Sequence, residues 1–381
     1  MAKMTLLLLS VLLHGFLGWR LLPALDAWPA AQWGLGALLA LSAALVPMSF
    51  YARRIRRQPL SDRLATAGFL FMGWFSSMFV LTLLREVVLL LDTLVGHGWT
   101  GLASTSAELA GDMAWAVFTG AALFTLVGWV NARRTAQVVK VDVPIAGLPK
   151  ALQGFTIAQI SDIHVGPTIK QVYLQPIVQK VNQLKADMVA ITGDLVDGSV
   201  RDLAPHVSPL AELDSRHGTY FVTGNHEYYS GAHGWIDELR RLGLRVLLNE
   251  HVVVQHDVTP VVIAGVTDYT AHHFDPSHRS DPHAAVKGAP ADAVKLLLAH
   301  QPRSAQAAEE AGFHLQLSGH THGGQFWPWR LAVPLQQPFV AGLKRLKRMW
   351  IYTSRGTGFW GPPKRLCAPS EITLLRLVGT D

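Results

Sequence analysis

Two closely spaced histidines are the first residues in this chain whose type and spacing suggest chemistry. His320 and His322 lie on a glycine-rich stretch after Phe313–Leu317, a run that alternates as a β-strand does. Residues two apart in extended chain share a face, so both imidazoles can point at one metal ion. A chain with 17 histidines also contains such pairs by chance. The pair therefore predicts a metal site only if other segments supply partner ligands.

Four further motifs supply such partners, and each directly follows a strand-like run. They are Asp162 and His164 after Phe155–Ile160, Asp194 after Met188–Thr192, Asn225 and His226 after Thr219–Thr223, and His300 after Lys295–Ala299. The carboxyl ends of strands are where α/β sheets collect their ligand sites. The donors are oxygen and nitrogen without cysteine, and one carboxylate can bridge. This set suits two hard or borderline divalent ions better than one structural zinc.

The elements that must position these motifs occupy the second part of the chain. Strand-like runs alternate with polar or amphipathic segments such as Lys170–Leu184, which predicts α/β organisation. Further strands are expected at Val252–Gln255, Val261–Gly265 and Glu371–Leu377. A change in composition near residue 135 predicts a domain boundary, with the α/β domain over 136–381.

The first 135 residues are dominated by apolar side chains and predict four transmembrane helices. The predicted spans are 4–22, 33–51, 69–91 and 115–130. Each has about the length needed to cross a hydrocarbon core. A signal peptide is the alternative for the first run, but a second apolar run follows and no clear cleavage site intervenes. Buried helices of a soluble core are the alternative for all four, and terminal Trp and Arg anchors argue against them.

Basic residues predict the orientation of these spans. Lys3, the cluster at 53–57 and the pair at 133–134 mark three cytoplasmic sides, and Arg20 is the one dissenting charge. The loop at 96–112 has acidic residues and no Lys or Arg, as expected outside the cytoplasm. The α/β domain is therefore expected on the cytoplasmic side of the inner membrane.

The remaining charged residues and the single cysteine help to exclude some classes of function. Arg85 and Glu86 fall within the third span, where ionisable groups are costly, and we expect them to pair with each other; a functional role is the alternative. The net charge of +6 comes largely from clusters beside apolar spans, so nucleic-acid binding is not expected. Cys367 is the single cysteine and allows no intramolecular disulfide. The oligomeric state is left open.

The order Asp-x-His, Gly-Asp, Gly-Asn-His-Glu, His, Gly-His-x-His resembles the calcineurin-like metallophosphoesterase superfamily over Phe155–Gln325. The later stretches Tyr352–Gly356 and Pro369–Leu374 are similar to the tail of its bacterial membrane-associated branch, which includes UDP-2,3-diacylglucosamine pyrophosphatases. The resemblance implies an α/β fold in which a β-sandwich is flanked by helices (αββα), here preceded by the four-helix transmembrane region.

The resemblance also implies roles for the motif residues around two divalent metal ions. The first ion would be held by Asp162, His164, Asp194 and His322. The second would be held by Asp194, Asn225, His300 and His320, with Asp194 bridging. His226 would face the substrate phosphate as a catalytic residue, and charge together with the resemblance makes Arg355 and Arg365 candidate substrate contacts. The metal is left open among Mn, Fe, Zn and Mg.

The expected function is that of a membrane-anchored phosphoesterase. A hydroxide bridging two metal ions would attack a phosphodiester, pyrophosphate or phosphomonoester. The tether favours a lipid-linked substrate, of which UDP-2,3-diacylglucosamine is the most specific version. One alternative is a non-catalytic membrane sensor of a phosphorylated ligand, against which the complete ligand set argues. Another is a transporter or channel with a regulatory domain, although the spans contain few ionisable residues.

The segment Thr267–Pro290 and several other histidines are harder to interpret. The segment is rich in histidine and lacks periodicity, so it is expected either as a loop over the active site or as a solvated excursion. His233, like the other histidines outside the motifs, is interpreted as a surface residue. The basic cluster at 344–348 is expected to contact anionic lipid; a solvated face or a contact with a substrate diphosphate is the alternative.

Overall fold

The computed structural model describes residues 2–52, 55, 57–94 and 106–380. The chain divides into two compact units. The first comprises residues 1–131 together with 361–364, and the second comprises 132–360 together with 365–381. The division lies close to the boundary expected at residue 135, but a short stretch far away in sequence joins the first unit.

The first unit is built from four long helices. They are α1 (Ala2–Leu21), α2 (Pro29–Tyr51), α3 (Leu60–Leu94) and α4 (Ser106–Arg133). Each is long and apolar enough to cross a membrane, which confirms the four predicted apolar helices. All four begin before their predicted starts, and α3 and α4 also end later than predicted, because backbone hydrogen bonding, and not apolarity, sets the length of a helix. Most of the basic cluster at 53–57 and most of the loop at 96–112 lie outside the described residues.

Three charged side chains of this unit, those of Arg20, Arg85 and Glu86, form ion pairs. The Arg85 guanidinium lies 2.7 Å from the Glu86 carboxylate and also donates to the carbonyl of Ala110 at 3.0 Å. Glu86 in turn contacts Arg20, the one basic residue that disagreed with the predicted orientation. The expected pairing of Arg85 with Glu86 is therefore confirmed. Pairing lowers the cost of placing these charges in an apolar unit.

The stretch 361–364 contributes a buried cation to the first unit. Lys364 is 1% exposed, and its ammonium donates to the carbonyl of Gly73 at 2.9 Å and to the hydroxyls of Ser77 and Thr125. Nothing in the local sequence of 361–364 indicates that it belongs among the helices.

The second unit contains two six-stranded sheets. The strands of the first sheet, in spatial order, are β1 (Gln137–Ala146), β12 (Glu371–Thr380), β2 (Thr156–Ile160), β3 (Met188–Ile191), β4 (Thr219–Phe221) and β5 (Arg245–Val246). β12 runs antiparallel to β2, and the other neighbours are parallel. β2, β3 and β4 fall where the sequence predicted strands.

The second sheet has a parallel centre and antiparallel edges. Its spatial order is β10 (Gly342–Leu346), β11 (Met349–Thr353), β9 (Leu315–Ser318), β8 (Val294–Leu298), β7 (Thr259–Gly265) and β6 (Glu250–His256). The hairpin β10–β11 was not predicted, and the basic cluster at 344–348 lies in it. Lys344 and Arg345 are exposed there, in agreement with a solvated face.

The sheets pack face to face, and helices cover their outer faces. In β3, Met188 and Ala190 point between the sheets, while Val189 and Ile191 point to the helical side. Both faces of the strand are therefore buried, which explains its continuous apolar run. The flanking helices are α5 (Gln171–Gln183), α6 (Val200–Val207), α7 (Asn225–Ser230), α8 (Ala232–Arg241), α9 (Pro282–Val286) and α10 (Ala305–Glu310). The predicted αββα sandwich is confirmed.

Candidate metal centre

The strand ends of both sheets deliver the predicted residues to one place. Asp162 follows β2, Asp194 follows β3, Asn225 begins α7 just after β4, His300 follows β8, and His320 follows β9. Parallel strands present their carboxyl ends at one edge of a sheet. The two sheets of the sandwich therefore bring together side chains that are up to 160 residues apart in the sequence.

One group of ligand atoms comes from Asp162, His164 and His322, which lie within 4.8 Å of one another. The Nε2 atoms of the two histidines are 3.1 Å apart, and His322 Nε2 is 3.5 Å from an oxygen of Asp162. If both of these ring nitrogens carried a proton, the two N–H groups would repel each other at this distance. The arrangement suits a shared cation between them.

A second group comes from Asp194, His300 and His320 within the same limit of 4.8 Å. His300 Nε2 lies 3.1 Å from Asp194 Oδ2 and 3.1 Å from His320 Nδ1. Asp194 Oδ2 is also 3.9 Å from His164 Nε2, a ligand atom of the first group. Asp194 therefore stands between the two groups and can contribute to both.

Unsatisfied acceptors provide a test of whether metal ions fit here. Asp162 Oδ2 and Asn225 Oδ1 are buried and have no hydrogen-bond partner among the described residues. Leaving such atoms unpaired costs about 1–3 kcal/mol each, and more for a charged group. Both are hard oxygen donors, and Asp162 belongs to one of the ligand groups. A divalent cation satisfies all of these groups at once, so the residues fit the metals that the family uses.

The backbone at the site is held in an uncommon conformation. Five of the predicted residues have a positive φ: Asp162 (54°), His164 (57°), Asp194 (52°), His320 (70°) and His322 (50°). For residues other than glycine this region costs of order 1 kcal/mol or more, and it clusters at functional sites. Nearby, a Cβ on Gly319 would lie 2.2 Å from Asp162 Oδ2. Glycine at 319 is therefore needed for the two strand ends to approach.

Burial and neighbouring charges shift several pKa values in the site. Burial alone would raise the pKa of Asp194, but His300 and His226 outweigh it and hold that pKa well below its usual range. Burial raises the pKa of Asp162, partly opposed by His300. Burial lowers the pKa of His320 to about 3, and burial together with Arg365 lowers that of His322. The last two imidazoles are therefore neutral, as ligation requires.

His226 lies at the mouth of the site and is oriented by a residue that the sequence analysis did not single out. Its Nδ1 is 2.5 Å from Asp197 Oδ1, and the other Asp197 oxygen is 3.3 Å from His164 Nδ1. Burial would lower the pKa of His226, but Asp194 and Asp197 raise it to about 9. The signal for Asp197 was available, because it is a second acid three residues after Asp194.

Glu227 is the second residue whose role the sequence analysis missed. Its buried carboxylate accepts hydrogen bonds from the backbone N–H groups of Asp194, Leu195, Val196 and Gly224, at distances from 2.6 to 3.2 Å. Burial and the neighbouring Asp194 raise its pKa to about 8, while the backbone donors favour its ionised form. Glu227 thereby ties the loop after β3 to the start of α7.

The two arginines expected as substrate contacts have different surroundings. Arg355 is about one-third exposed and pairs with Glu371 at 2.6 Å. Arg365 is 1% exposed, and its guanidinium donates to the carbonyls of Gly358, Arg355 and His322 and contacts His322 Nδ1 at 3.1 Å. This geometry disagrees with a direct substrate contact by Arg365. Because its guanidinium is turned inward to the backbone, Arg365 instead holds the loop that carries His322.

An aromatic rim surrounds His226. The rings of Tyr229 and Trp360 lie 5.1 and 5.6 Å from the imidazole, and Phe274 lies 5.5 Å from Tyr229. All three rings are about half exposed. Phe274 comes from the segment Thr267–Pro290, so part of this segment lies beside the site.

Comparison with known proteins agrees with this geometry. The family model for calcineurin-like phosphoesterase matches residues 155–324. Proteins named "Transmembrane protein with metallophosphoesterase domain" are 38% identical in Danio rerio, over 66% of this chain and 60% of that protein, and 40% identical in Bos taurus, over 67% and 60%. An Aquifex aeolicus protein named "Uncharacterized metallophosphoesterase" is 33% identical over 64% of this chain and 92% of its own length.

The chain belongs to the calcineurin-like phosphoesterase family. The predicted resemblance is confirmed, and the second unit has the domain of a class of metal-dependent phosphoester hydrolases. The four helices and the transmembrane relatives together indicate a membrane protein. The match spans about 60% of the length of the two vertebrate relatives.

Proposed function

We propose that this protein is a membrane-anchored phosphoesterase that uses two divalent metal ions. The observation that carries the proposal is the pair of neighbouring ligand groups: Asp194 Oδ2 of the second lies 3.9 Å from His164 Nε2 of the first. Asp162 and Asn225 each add a buried oxygen without a hydrogen-bond partner among the described residues. Asp162, His164, Asp194 and His322 would hold one ion. Asp194, Asn225, His300 and His320 would hold the other. When bound, the ions would supply Lewis-acid activation of water and neutralise charge on the phosphoryl oxygens.

The protein's own residues then orient the substrate and move a proton. Asp197 fixes Nδ1 of His226, which leaves Nε2 facing the centre, 4.0 Å from Asp194 Oδ2. With a pKa of about 9, His226 carries a proton at neutral pH. It is therefore suited to protonate the leaving oxygen of a phosphoester, a contribution of about 10²–10⁴-fold in rate. Arg355, at one-third exposure, is the better placed of the two arginines to meet an anionic substrate.

We further propose that the substrate is lipid-linked, with UDP-2,3-diacylglucosamine as the most specific candidate. The helical unit has an apolar groove of about 360 Å³, lined by residues that include Leu38, Trp74, Phe118 and Thr125. Lys364 donates to Thr125 and places a positive charge beside this groove, which suits an acyl chain attached to an anionic headgroup. In the other unit, the aromatic rim around His226 suits a planar base.

The test is hydrolysis by the detergent-solubilised full chain after chelation and addition of Mn, Zn or Mg. Bis(p-nitrophenyl) phosphate, p-nitrophenyl phosphate and UDP-2,3-diacylglucosamine would be compared, with His226→Ala as the active-site variant and His283→Ala, an exposed histidine, as its matched control. We expect metal-restored turnover that His226→Ala loses and His283→Ala keeps. Tight binding of a phosphorylated ligand without turnover would instead support a non-catalytic sensor.

The lipid-linked part of the proposal has its own test. Removal of the acyl chains from UDP-2,3-diacylglucosamine should raise KM, because a lipid-linked substrate is recognised in part by its acyl chains. Equal KM values for the diacylated substrate and its deacylated form would contradict a lipid-linked substrate, without affecting the assignment as a phosphoesterase.

We propose that the second unit lies on the cytoplasmic side of the inner membrane, on the basis of the basic residues around the spans. Cys367 is the chain's single cysteine and is exposed in the second unit, so it reports its own side of the membrane. A membrane-impermeant maleimide should label Cys367 only after cells are opened. Labelling of intact spheroplasts to the same extent would reverse the orientation.

A further inference from the structure

A second His–Asp cluster lies on the surface of the α/β unit, formed by residues that the proposed function does not use. His233 is in the first turn of α8. Asp275 directly precedes the short 3₁₀ turn Pro276–His278, and His278 is the last residue of that turn. One ligand atom from each lies within 4.8 Å of the others. The sequence analysis interpreted His233 as a surface residue, and its distance of more than 40 residues from the other two gave no sign of this grouping.

The carboxylate of this cluster is already oriented. Asp275 Oδ1 accepts hydrogen bonds from the backbone N–H and the hydroxyl of Ser277, at 2.9 and 2.6 Å. The other oxygen, Oδ2, is 3.1 Å from Nε2 of His233. One oxygen is therefore fixed by the local turn, while the other faces the histidines.

His278 is oriented in the same way. Its Nδ1 lies 2.7 Å from the hydroxyl of Tyr228, and its carbonyl accepts from the hydroxyl of Thr267 at 2.7 Å. A histidine that ligates a metal through one nitrogen usually binds a polar partner through the other. The contact with Tyr228 leaves Nε2 as the nitrogen for a ligand.

Hydrogen bonding within the cluster does not account for all three residues. The contact between His233 and Asp275 satisfies that pair, but the ring of His278 also lies 5.2 Å from the ring of His233. Two imidazoles at this distance repel each other if both are charged. They are compatible when both are neutral and share a cation.

We propose that His233, Asp275 and His278 form a further metal site, distinct from the candidate metal centre and selective for Zn²⁺ or a similar borderline ion. Two imidazoles and one carboxylate are a donor set that suits Zn²⁺, with water completing the coordination. Zinc–ligand distances of about 2.0–2.2 Å require the three donors to close by roughly 1 Å. His233 can make this movement, because its side chain is 73% exposed.

A bound ion would join two segments of the unit. Asp275 and His278 belong to the segment Thr267–Pro290, and His233 belongs to α8. The same segment carries Phe274 of the aromatic rim, and Tyr228, the partner of His278, lies on α7. The ion would therefore fix the side of the aromatic rim that Phe274 forms.

The experiment is zinc stoichiometry of the purified full chain by equilibrium dialysis and elemental analysis. His233→Ala and His278→Ala should each bind one Zn²⁺ per chain less than the wild type. His283→Ala, an exposed histidine in the same segment, is the matched control and should bind as many ions as the wild type. Asp275→Asn keeps the acceptor for Ser277 but removes the charge, and we expect it to weaken binding of this one ion at least tenfold.

Two outcomes would overturn the site. Unchanged stoichiometry in both His233→Ala and His278→Ala would show that no ion binds there. An equal loss in His283→Ala would show that exposed histidines bind zinc without a built site. Thermal unfolding in the absence of zinc, compared with that of the wild type, identifies any variant that has lost its fold. If a histidine variant has lost its fold, zinc binding by Asp275→Asn, whose turn remains capped, decides whether the site exists.

Discussion

The candidate metal centre and the His233 cluster use the same side-chain types in opposite surroundings. At the centre, Asp194 and His300 are at most 2% exposed, and oxygens of Asp162 and Asn225 lack partners among the described residues. In the His233 cluster the carboxylate is capped by its own turn, and one histidine is largely exposed. Buried unsatisfied acceptors cost free energy, whereas exposed ones are solvated.

This difference separates a site that depends on its ions from one that can fold without them. The centre also holds five residues at positive φ, and Asp275 and His278 do not share that conformation. A strained and unsatisfied site recovers its cost only when the ion binds. We therefore expect large effects of substitution and chelation at the centre and small ones at the cluster.

The largest effect is expected from Asp194→Asn. Asp194 belongs to the second ligand group and lies 3.9 Å from His164 of the first, and the amide would remove its charge while keeping its size. Loss of several kcal/mol of transition-state stabilisation corresponds to a fall in kcat of about 10³-fold or more. Steady-state hydrolysis with the metal at saturation measures it. A fall of less than tenfold would mean that Asp194 is not shared by two ions.

Asp197→Asn should produce a smaller loss and a changed pH profile. His226 has a pKa raised to about 9, so it holds its proton at pH 7 and releases it as the pH rises through that value. Without the Asp197 charge this pKa should fall toward its ordinary value of about 6.5. The alkaline decline of kcat should therefore move to lower pH.

The profile of Asp197→Asn would be measured from pH 6 to 10. A loss of activity that is equal at every pH would mean that Asp197 acts only by holding His226 or His164 in place. A shift of the decline to higher pH would contradict a protonated His226 in the reaction.

Removal of metal should lower stability mainly through the centre, where the buried acceptors lack partners among the described residues. An ion present at 1,000 times its Kd stabilises the folded state by about 4 kcal/mol, which corresponds to roughly 10 °C in Tm for a unit of this size. Chelation of the wild type and of His233→Ala should therefore lower Tm by similar amounts, because the centre is intact in both. A drop in Tm that His233→Ala abolishes would assign the stability to the surface cluster.

The smallest effect is expected for catalysis after substitution of the surface cluster. His278→Ala should change kcat on bis(p-nitrophenyl) phosphate by less than about twofold, since surface substitutions away from the reacting atoms are usually mild. KM for a substrate with a planar base should change more, because His278 lies in the segment that carries Phe274. A fall in kcat comparable to that of Asp197→Asn would make the two sites one functional unit.

The sequence by itself determined the motif order, the four apolar helices and most central strands of the sandwich. These are local features that can be recognised from neighbouring residues. For example, Met188–Ile191 is a run of apolar residues because both faces of this strand are buried. The candidate ligands could be found for the same reason, because each follows directly after such a strand. Family resemblance supplied their expected grouping around two ions, and the distances among them agree with that grouping.

Only the tertiary structure decided the contacts between segments that are far apart in the chain. β1 and β10 are half-exposed and have no clear pattern, so their pairing depends on their partners. The sequence analysis predicted a substrate contact for Arg365. In the structure its guanidinium is turned inward and donates to the backbone carbonyl of His322. The contacts of Lys364 with the helices and of His233 with Asp275 have the same physical reason. Each joins residues far apart in the sequence through tertiary packing, which no local pattern encodes.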